Sequence, residues 1–128
     1  MNRKDRLKKL ASVQEQLKAF HEMRYASFRA EASAAESDAD ALRARFDAND
    51  SMSTMFPEVY YRGIEKAIER ATTNLSLAEN EASLVAAATA RTNMVERAYR
   101  TARQEDERTR SDRERLDMIT ARLTQKPR

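Results

Sequence analysis

The scarcity of chain-reversing residues is the feature that most constrains what this chain can fold into. Only one Gly and two Pro occur in 128 residues, whereas sheets and compact α/β folds need many tight turns built from such residues. Long helices need few turns, and the abundant Ala, Glu, Arg, Leu and Lys are good helix formers. Aromatic residues make up 6% of the chain and charged residues 35%, which suits a narrow seam between helices better than a globular core. The sequence therefore predicts an all-α protein.

Apolar residues in the first half recur in steps of three and four, the a/d spacing of a coiled coil. The predicted seam begins with Leu10, Val13, Leu17 and Phe20, and it resumes at Phe28, Ala32, Ala35, Ala39, Leu42 and Phe46. The 11-residue step between the two sets predicts a stutter that locally unwinds the supercoil. We expect one helix over about residues 3–47.

The segment ANDSMSTMFPE predicts a single loop over about residues 48–56. Asn, Asp and Ser favour turns, Asn49 suits a left-handed helix cap, and Pro57 suits the first turn of a new helix. The second helix should span about residues 57–125, so that residues 1–128 form one antiparallel α-hairpin. Its predicted seam is Tyr61, Ile64, Ile68, Ala71, Leu75, Ala78, Ala82 and Val85, then, after a slip in phase, Val95, Ala98 and Ala102.

The predicted helices differ in length, so the second should overhang the first. A fold at residues 48–56 places Arg3 opposite about Ala102, and the seam positions beyond that point turn polar. Leu116, Ile119 and Leu123 then form one apolar face without a counterpart on the first helix.

Charge is distributed unevenly along the chain. The formal net charge is +4 over residues 1–9, +4 over residues 97–128 and −5 over residues 10–96. A hairpin brings the two basic ends together, which favours docking on an acidic partner. The alternative is that these charges belong to ordinary solvated helix faces.

Several classes of chemistry are disfavoured. The chain has no Cys, and its one His, His21, has Lys18 three residues before it rather than the Glu of a bundle metal site. One Gly cannot build a phosphate-binding loop. We expect no catalytic residues, no metal and no cofactor, and hence no enzyme. The pI of about 9.4 raises nucleic-acid binding as an alternative, but acids interleave the C-terminal arginines and only Tyr99 there could stack on a base.

Localisation and apolar surfaces can also be predicted. The charged N-terminus MNRKDRLKKL lacks the apolar region of a secretory signal, and no long apolar run follows it, so we expect a cytoplasmic protein. Met52, Met55 and Phe56 in the loop and a stripe on the second helix suit partner docking. The stripe is Tyr60, Ile64, Ala67 and Ala71. The alternative is that Phe56 and Tyr60 only close the hairpin and that Ile64 and Ala71 belong to the seam.

Three segments resemble a known family. RLKKLASVQEQLKAF, FPEVYYRGIEKAIERATTNL and VERAYRTARQEDERTRSDRERLDMITARL are similar to the FliJ-like flagellar export chaperones and their injectisome relatives, the coiled-coil stalk proteins of type III secretion ATPases. The resemblance covers nearly the whole chain. This chain differs from the family in being short and in having Ala residues where larger groups would close the stripe.

This resemblance implies a stalk or adaptor that contacts an export ATPase ring, the cytoplasmic domain of an export-gate membrane protein and other export chaperones. The implied ATPase-docking residues are Arg3, Lys4, Arg6, Lys8, Lys9, Leu116, Ile119 and Leu123. The implied gate-docking residues are Met55, Phe56, Tyr60, Ile64, Ala67 and Ala71. The protein would lie in the cytoplasm, peripheral to a membrane-embedded export apparatus. Two alternatives stay open: a generic self-associating structural coiled coil, and a basic nucleic-acid-binding coiled coil.

Overall fold

The computed structural model describes residues 2–125 and contains two long helices that pack against each other. Helix α1 is Arg3–Asp47 and helix α2 is Pro57–Thr124, and their ends lie within one residue of those expected from the sequence. Ion pairs join Asp38 to Arg70 and Arg24 to Glu81, so the helices run antiparallel. The predicted all-α hairpin is confirmed. No helix in the described part is long and apolar enough to cross a membrane.

The helices contribute to two compact units. The turn unit is Gln16–Ala88, and the described part of the terminal unit combines residues 2–15 with residues 89–125. In the terminal unit, Asn2 caps α1: its side-chain oxygen accepts a hydrogen bond from the backbone N–H of Asp5 at 2.9 Å. Such a cap satisfies one of the unpaired donors of the first helical turn.

The core of the turn unit consists of alanine. Seven alanines of this unit are buried: Ala32, Ala35, Ala39, Ala67, Ala71, Ala78 and Ala88. No large side chain is fully buried anywhere in the described residues. Since Ala projects only a methyl group, the helix backbones can approach closely, and little apolar area is buried per residue.

The predicted first half of the α1 seam is wrong. Its four residues, Leu10, Val13, Leu17 and Phe20, are 40–49% exposed. In the turn unit the buried side of α1 instead includes Lys18 and His21, and in the terminal unit it includes Leu7, Ala11 and Gln14. These positions keep steps of three and four without the expected stutter. Lys18 and His21 are tolerated there because their side chains reach the carboxylates of Glu22 and Glu81. Gln14 differs, since its side-chain oxygen is buried without a hydrogen-bond partner in the described structure.

Most of the predicted α2 seam is right. The predicted seam residues that are buried or half-buried are Ile64, Ala71, Leu75, Ala78, Val85, Val95, Ala98 and Ala102. Tyr61, Ile68 and Ala82 are exposed, and the residue before each of them, Tyr60, Ala67 and Glu81, faces inward instead. The expected slip after Val85 is absent, because Ala88 and Thr92 are buried and keep the spacing as far as Val95.

Gly63 provides room for a neighbouring leucine. A Cβ added at this position would lie 3.1 Å from Cδ1 of Leu42, which is closer than ordinary van der Waals contact. An alanine here would require the Leu42 side chain to move by a few tenths of an ångström, which opposes the helix-propensity advantage of alanine over glycine, about 1 kcal/mol.

Serine hydroxyls, rather than a left-handed asparagine, terminate α1. The hydroxyl of Ser53 donates to the carbonyl oxygen of Phe46 at 2.8 Å, and the hydroxyl of Ser51 donates to the same oxygen at 3.3 Å. No non-glycine residue in the described part has a positive φ, so the left-handed conformation predicted for Asn49 is wrong. The serines satisfy a carbonyl that the helix itself leaves unpaired.

Replacing both serines should therefore destabilise the turn. For Ser51→Ala with Ser53→Ala, we expect a loss of about 0.5–1.5 kcal/mol per lost hydrogen bond, measured by urea unfolding followed by circular dichroism. Ser76→Ala, at an exposed site on α2, is the control. Equal midpoints for all three proteins would contradict the capping role.

Candidate functional site

The C-terminal part of α2 extends beyond its pairing with α1. Ala102 is the last buried residue of the chain's described part, and every residue from 103 to 125 is exposed. We call residues 107–124 the arm. Leu116, Ile119 and Leu123 of the arm are 62%, 54% and 81% exposed, and their spacing of three and four places them on one face of the helix. This unpaired apolar face agrees with the predicted overhang.

The arm is otherwise strongly charged. Arg103 donates a hydrogen bond to Glu107 one turn later at 3.3 Å, the i, i+4 arrangement that supports an exposed helix. Residues 103–125 hold six Arg and six acidic residues, of which five Arg and four acids lie in the arm. The local charge is therefore balanced, and the apolar face is the feature that distinguishes the arm from an ordinary solvated helix.

The basic N-terminal residues lie in the same unit as the arm. Arg3, Arg6, Lys8 and Lys9 are exposed. Lys4 is half-buried, and its ammonium lies 3.7 Å from a carboxylate oxygen of Asp106. The structure thus leaves four of the five predicted basic docking residues accessible, while Lys4 has a partner within the hairpin.

The loop end presents a separate apolar surface. Met52, Met55, Phe56, Val59 and Tyr61 are all at least half exposed. We call these five residues the loop surface. Two of the residues predicted to dock on an export gate, Met55 and Phe56, belong to it, whereas sequence reasoning missed Val59 and placed Tyr61 in the seam.

Two of the four residues of the predicted α2 stripe are not accessible to a partner. Ala67 and Ala71 are 2% and 7% exposed, because they form part of the alanine core against α1. Tyr60 and Ile64 are half-buried, and the Tyr60 ring packs edge-on against Phe46 with centroids 5.8 Å apart. A partner cannot reach the two alanines without separating the helices.

A buried carboxylate lies between the helices of the turn unit. Arg24 Nε donates to Glu81 Oε1 at 2.7 Å, and His21 Nδ1 lies 2.7 Å from Glu81 Oε2. The hydrogen bond from Arg24 holds the pKa of Glu81 below its ordinary value, against the opposing effect of burial, and His21 adds to the lowering. Glu81 is 5% exposed, so both carboxylate oxygens are held inside the protein.

Sequence reasoning missed this cluster. On sequence alone, His21 is assessed only as a metal ligand, and Ala82 rather than Glu81 is assigned to the seam. The sequence did contain a signal for this cluster. Glu81 follows Ala71 and Ala78 at seam spacing, and His21 and Arg24 lie at the matching level of α1. The cluster does not resemble a catalytic site, since both oxygens of the carboxylate are engaged in cross-helix contacts.

Open grooves accompany these surfaces. One groove, of about 640 Å³, has Leu42, Gly63 and Ala67 among its lining residues. No group of three or more His, Asp or Glu side chains in the described part is arranged to hold a metal ion. The arm and the loop surface both expose large apolar side chains.

The chain was compared with known proteins in three ways. No protein-family model, no curated protein and no solved structure matches it.

Proposed function

We propose that this chain is a non-enzymatic coiled-coil stalk or adaptor that docks on its partner through the arm. The single observation that carries the proposal is the exposed face of Leu116, Ile119 and Leu123 on a helix that continues past its pairing with α1. Each side chain would gain on the order of 1.5–3 kcal/mol from full burial before the costs of association are subtracted. An apolar face of this kind on a charged helix suits a protein partner.

The partner class in this proposal is the ATPase ring of a flagellar or injectisome export apparatus. The resemblance of the three quoted segments to FliJ-like proteins motivates this choice. The exposed basic residues Arg3, Arg6 and Lys8, in the same unit as the arm, would steer approach to an acidic ring surface. In this proposal the protein acts in the cytoplasm, beside the membrane-embedded apparatus.

A contact with an export-gate domain is the second part of the proposal, and it uses the loop surface. Met55 and Phe56 are 70% and 50% exposed, and flexible Met beside an aromatic ring adapts well to a protein surface. The buried alanines of the former stripe are not included. This contact would lie in a different unit from the arm, so the two contacts can be tested by separate substitutions.

The arm contact is tested by binding to a purified export ATPase from the source organism. The triple variant Leu116→Ser, Ile119→Ser, Leu123→Ser should lose affinity on the order of 100-fold or more, because it removes the apolar anchors. Met118→Ser is the matched control, since Met118 is 61% exposed and lies on the opposite side of the arm. The control should bind like the unaltered chain.

The arm contact and the export assignment would be contradicted by different results. If the triple variant binds as tightly as the control, the arm is not the docking site. If the unaltered chain binds no export ATPase, the export assignment is wrong, and a generic structural adaptor becomes the better description.

A further inference from the structure

A third apolar surface surrounds the Arg24–Glu81 ion pair on one side of the turn unit. The guanidinium carbon of Arg24 lies 5.6 Å and 5.3 Å from the ring centroids of Phe20 and Phe28. On α2, Leu77 and Leu84 lie one turn before and one turn after Glu81, on the same side of the helix. We call the following residues the Phe20 patch: Leu17, Phe20, Phe28, Leu77 and Leu84.

The hairpin itself does not need this patch. A two-helix coiled coil needs only its a and d positions to be apolar, whereas helices that face the core of a larger bundle carry a wider apolar stripe. Near the patch, the inward positions of α1 include the polar Lys18 and His21, and those of α2 include Ala78, Glu81 and Val85. Most of the larger apolar side chains stand beside these positions. Phe20 and Leu84 remain 47% and 43% exposed. The stripe is wide on both helices and on the same side, so one additional layer of helices would cover it.

The wide stripe is confined to one stretch of the turn unit. Two heptads after Arg24, the equivalent position on α1 is Asp38, and one heptad before Leu77, the equivalent position on α2 is Arg70. These two form an exposed ion pair at 3.2 Å. The face therefore changes from apolar to charged as the chain approaches the loop, which sets the limit of the surface to be covered.

We propose that a second copy of this chain covers the Phe20 patch, so that two hairpins form a four-helix dimer. The charges inside the patch favour a second copy of this chain over a different protein as the partner. The two charged groups inside the patch, Arg24 and Glu81, are already paired with each other at 2.7 Å. A two-fold interface brings each surface against itself, and a patch without net charge can do so without repulsion.

The patch is continuous with the interface between α1 and α2, and this also favours a second hairpin as its partner. The patch borders the seam at His21 and Glu81, so a second hairpin would extend the existing core rather than create a separate one. At roughly 80 Å² of exposed surface for each of the five side chains, two patches would cover on the order of 800 Å² of apolar surface. With their polar borders they reach the low end of specific interfaces, about 1,200 Å². We therefore expect a reversible dimer of modest affinity.

The test is sedimentation equilibrium of the full chain over a wide range of concentrations. The unaltered chain should be a monomer when dilute and a dimer when concentrated. Leu84→Glu should weaken association on the order of tenfold or more, and Phe20→Glu on the other helix should do the same. Ile68→Glu is the matched control, because Ile68 is on the same helix, is 44% exposed and lies outside the patch. It should dimerise like the unaltered chain.

Cross-linking gives an independent readout that does not introduce charge. The chain has no Cys, so Asn80→Cys places a single thiol on the exposed surface between Leu77 and Leu84. Oxidation should join two copies through this thiol, whereas Thr72→Cys, exposed on another side of α2, should cross-link much less.

Three results would overturn the proposal. One is an unaltered chain that stays monomeric at every concentration, which would leave the patch to a different partner. Another is equal weakening by Ile68→Glu and Leu84→Glu. The third is equal cross-linking at the two thiol positions. None of these results bears on the arm, so this inference stands or falls separately from the export assignment.

Discussion

Ala35→Leu should destabilise the hairpin, although leucine normally strengthens a coiled-coil seam. Ala35 is 0% exposed and lies in a stretch of seam where both helices contribute alanine. A leucine there must either push the helices apart or adopt a strained side-chain conformation, at a cost of about 1–3 kcal/mol. For a chain of this size we expect the Tm to fall on the order of 5 °C or more.

The neighbouring residue supplies the control for this prediction. Ala34 is exposed on α1, so Ala34→Leu makes the same chemical change without entering the seam. Its Tm should stay close to that of the unaltered chain. Thermal unfolding followed by circular dichroism measures both, and a rise in Tm for Ala35→Leu would show that the helices can separate without cost.

Glu81→Gln should lower the Tm near neutral pH by a larger amount than any other single charge neutralisation in the turn unit. The carboxylate accepts from Arg24 and contacts His21, both at 2.7 Å. An amide carries N–H donors in place of one oxygen, so it cannot accept from both basic residues, and a buried group is left unpaired. The exposed pair Asp38–Arg70 is the control, because Asp38→Asn should change the Tm little.

The difference between the unaltered chain and Glu81→Gln should depend on pH. The pKa of Glu81 is lowered in the folded protein by its hydrogen bond with Arg24, so folding favours the ionised form. This stabilisation is fully present above the ordinary pKa of 4.5. It is lost as the pH falls through the lower folded value. The two Tm curves should therefore run parallel above about pH 5.5 and converge in acid. A constant separation down to pH 3 would contradict the role of the carboxylate.

The helices and loop were predictable from sequence, but the register between the helices was not. Pro57, the cluster of Asn, Asp and Ser and the run of helix formers are local signals, and they placed the ends of α1 and α2 correctly. The seam is a property of two helices together. On α1, Leu10, Val13, Leu17 and Phe20 have the spacing of a seam, and their size made them the natural choice over the neighbouring Ala, Gln, Lys and His.

Contacts between the two helices decide which α1 residues form the seam, and the residue pattern of one helix alone does not contain them. Lys18 and His21 face inward beside α2, where Glu81 provides a partner for His21. The same limit explains the outcome for the candidate sites. The arm was predictable because unequal helix lengths alone leave it without a partner. The stripe of Tyr60, Ile64, Ala67 and Ala71 was not, since only the register decides whether an alanine lies inside or outside.

The alanine core also determines how the free energy of unfolding responds to temperature. Alanine loses no side-chain rotamer freedom on folding, so ordering the seam costs backbone entropy but almost no side-chain entropy. The heat capacity of unfolding rises with the apolar area that unfolding exposes, and methyl groups expose little. The turn unit should therefore have a small heat-capacity change and a flat stability curve, with nearly the same stability in the cold as at growth temperature.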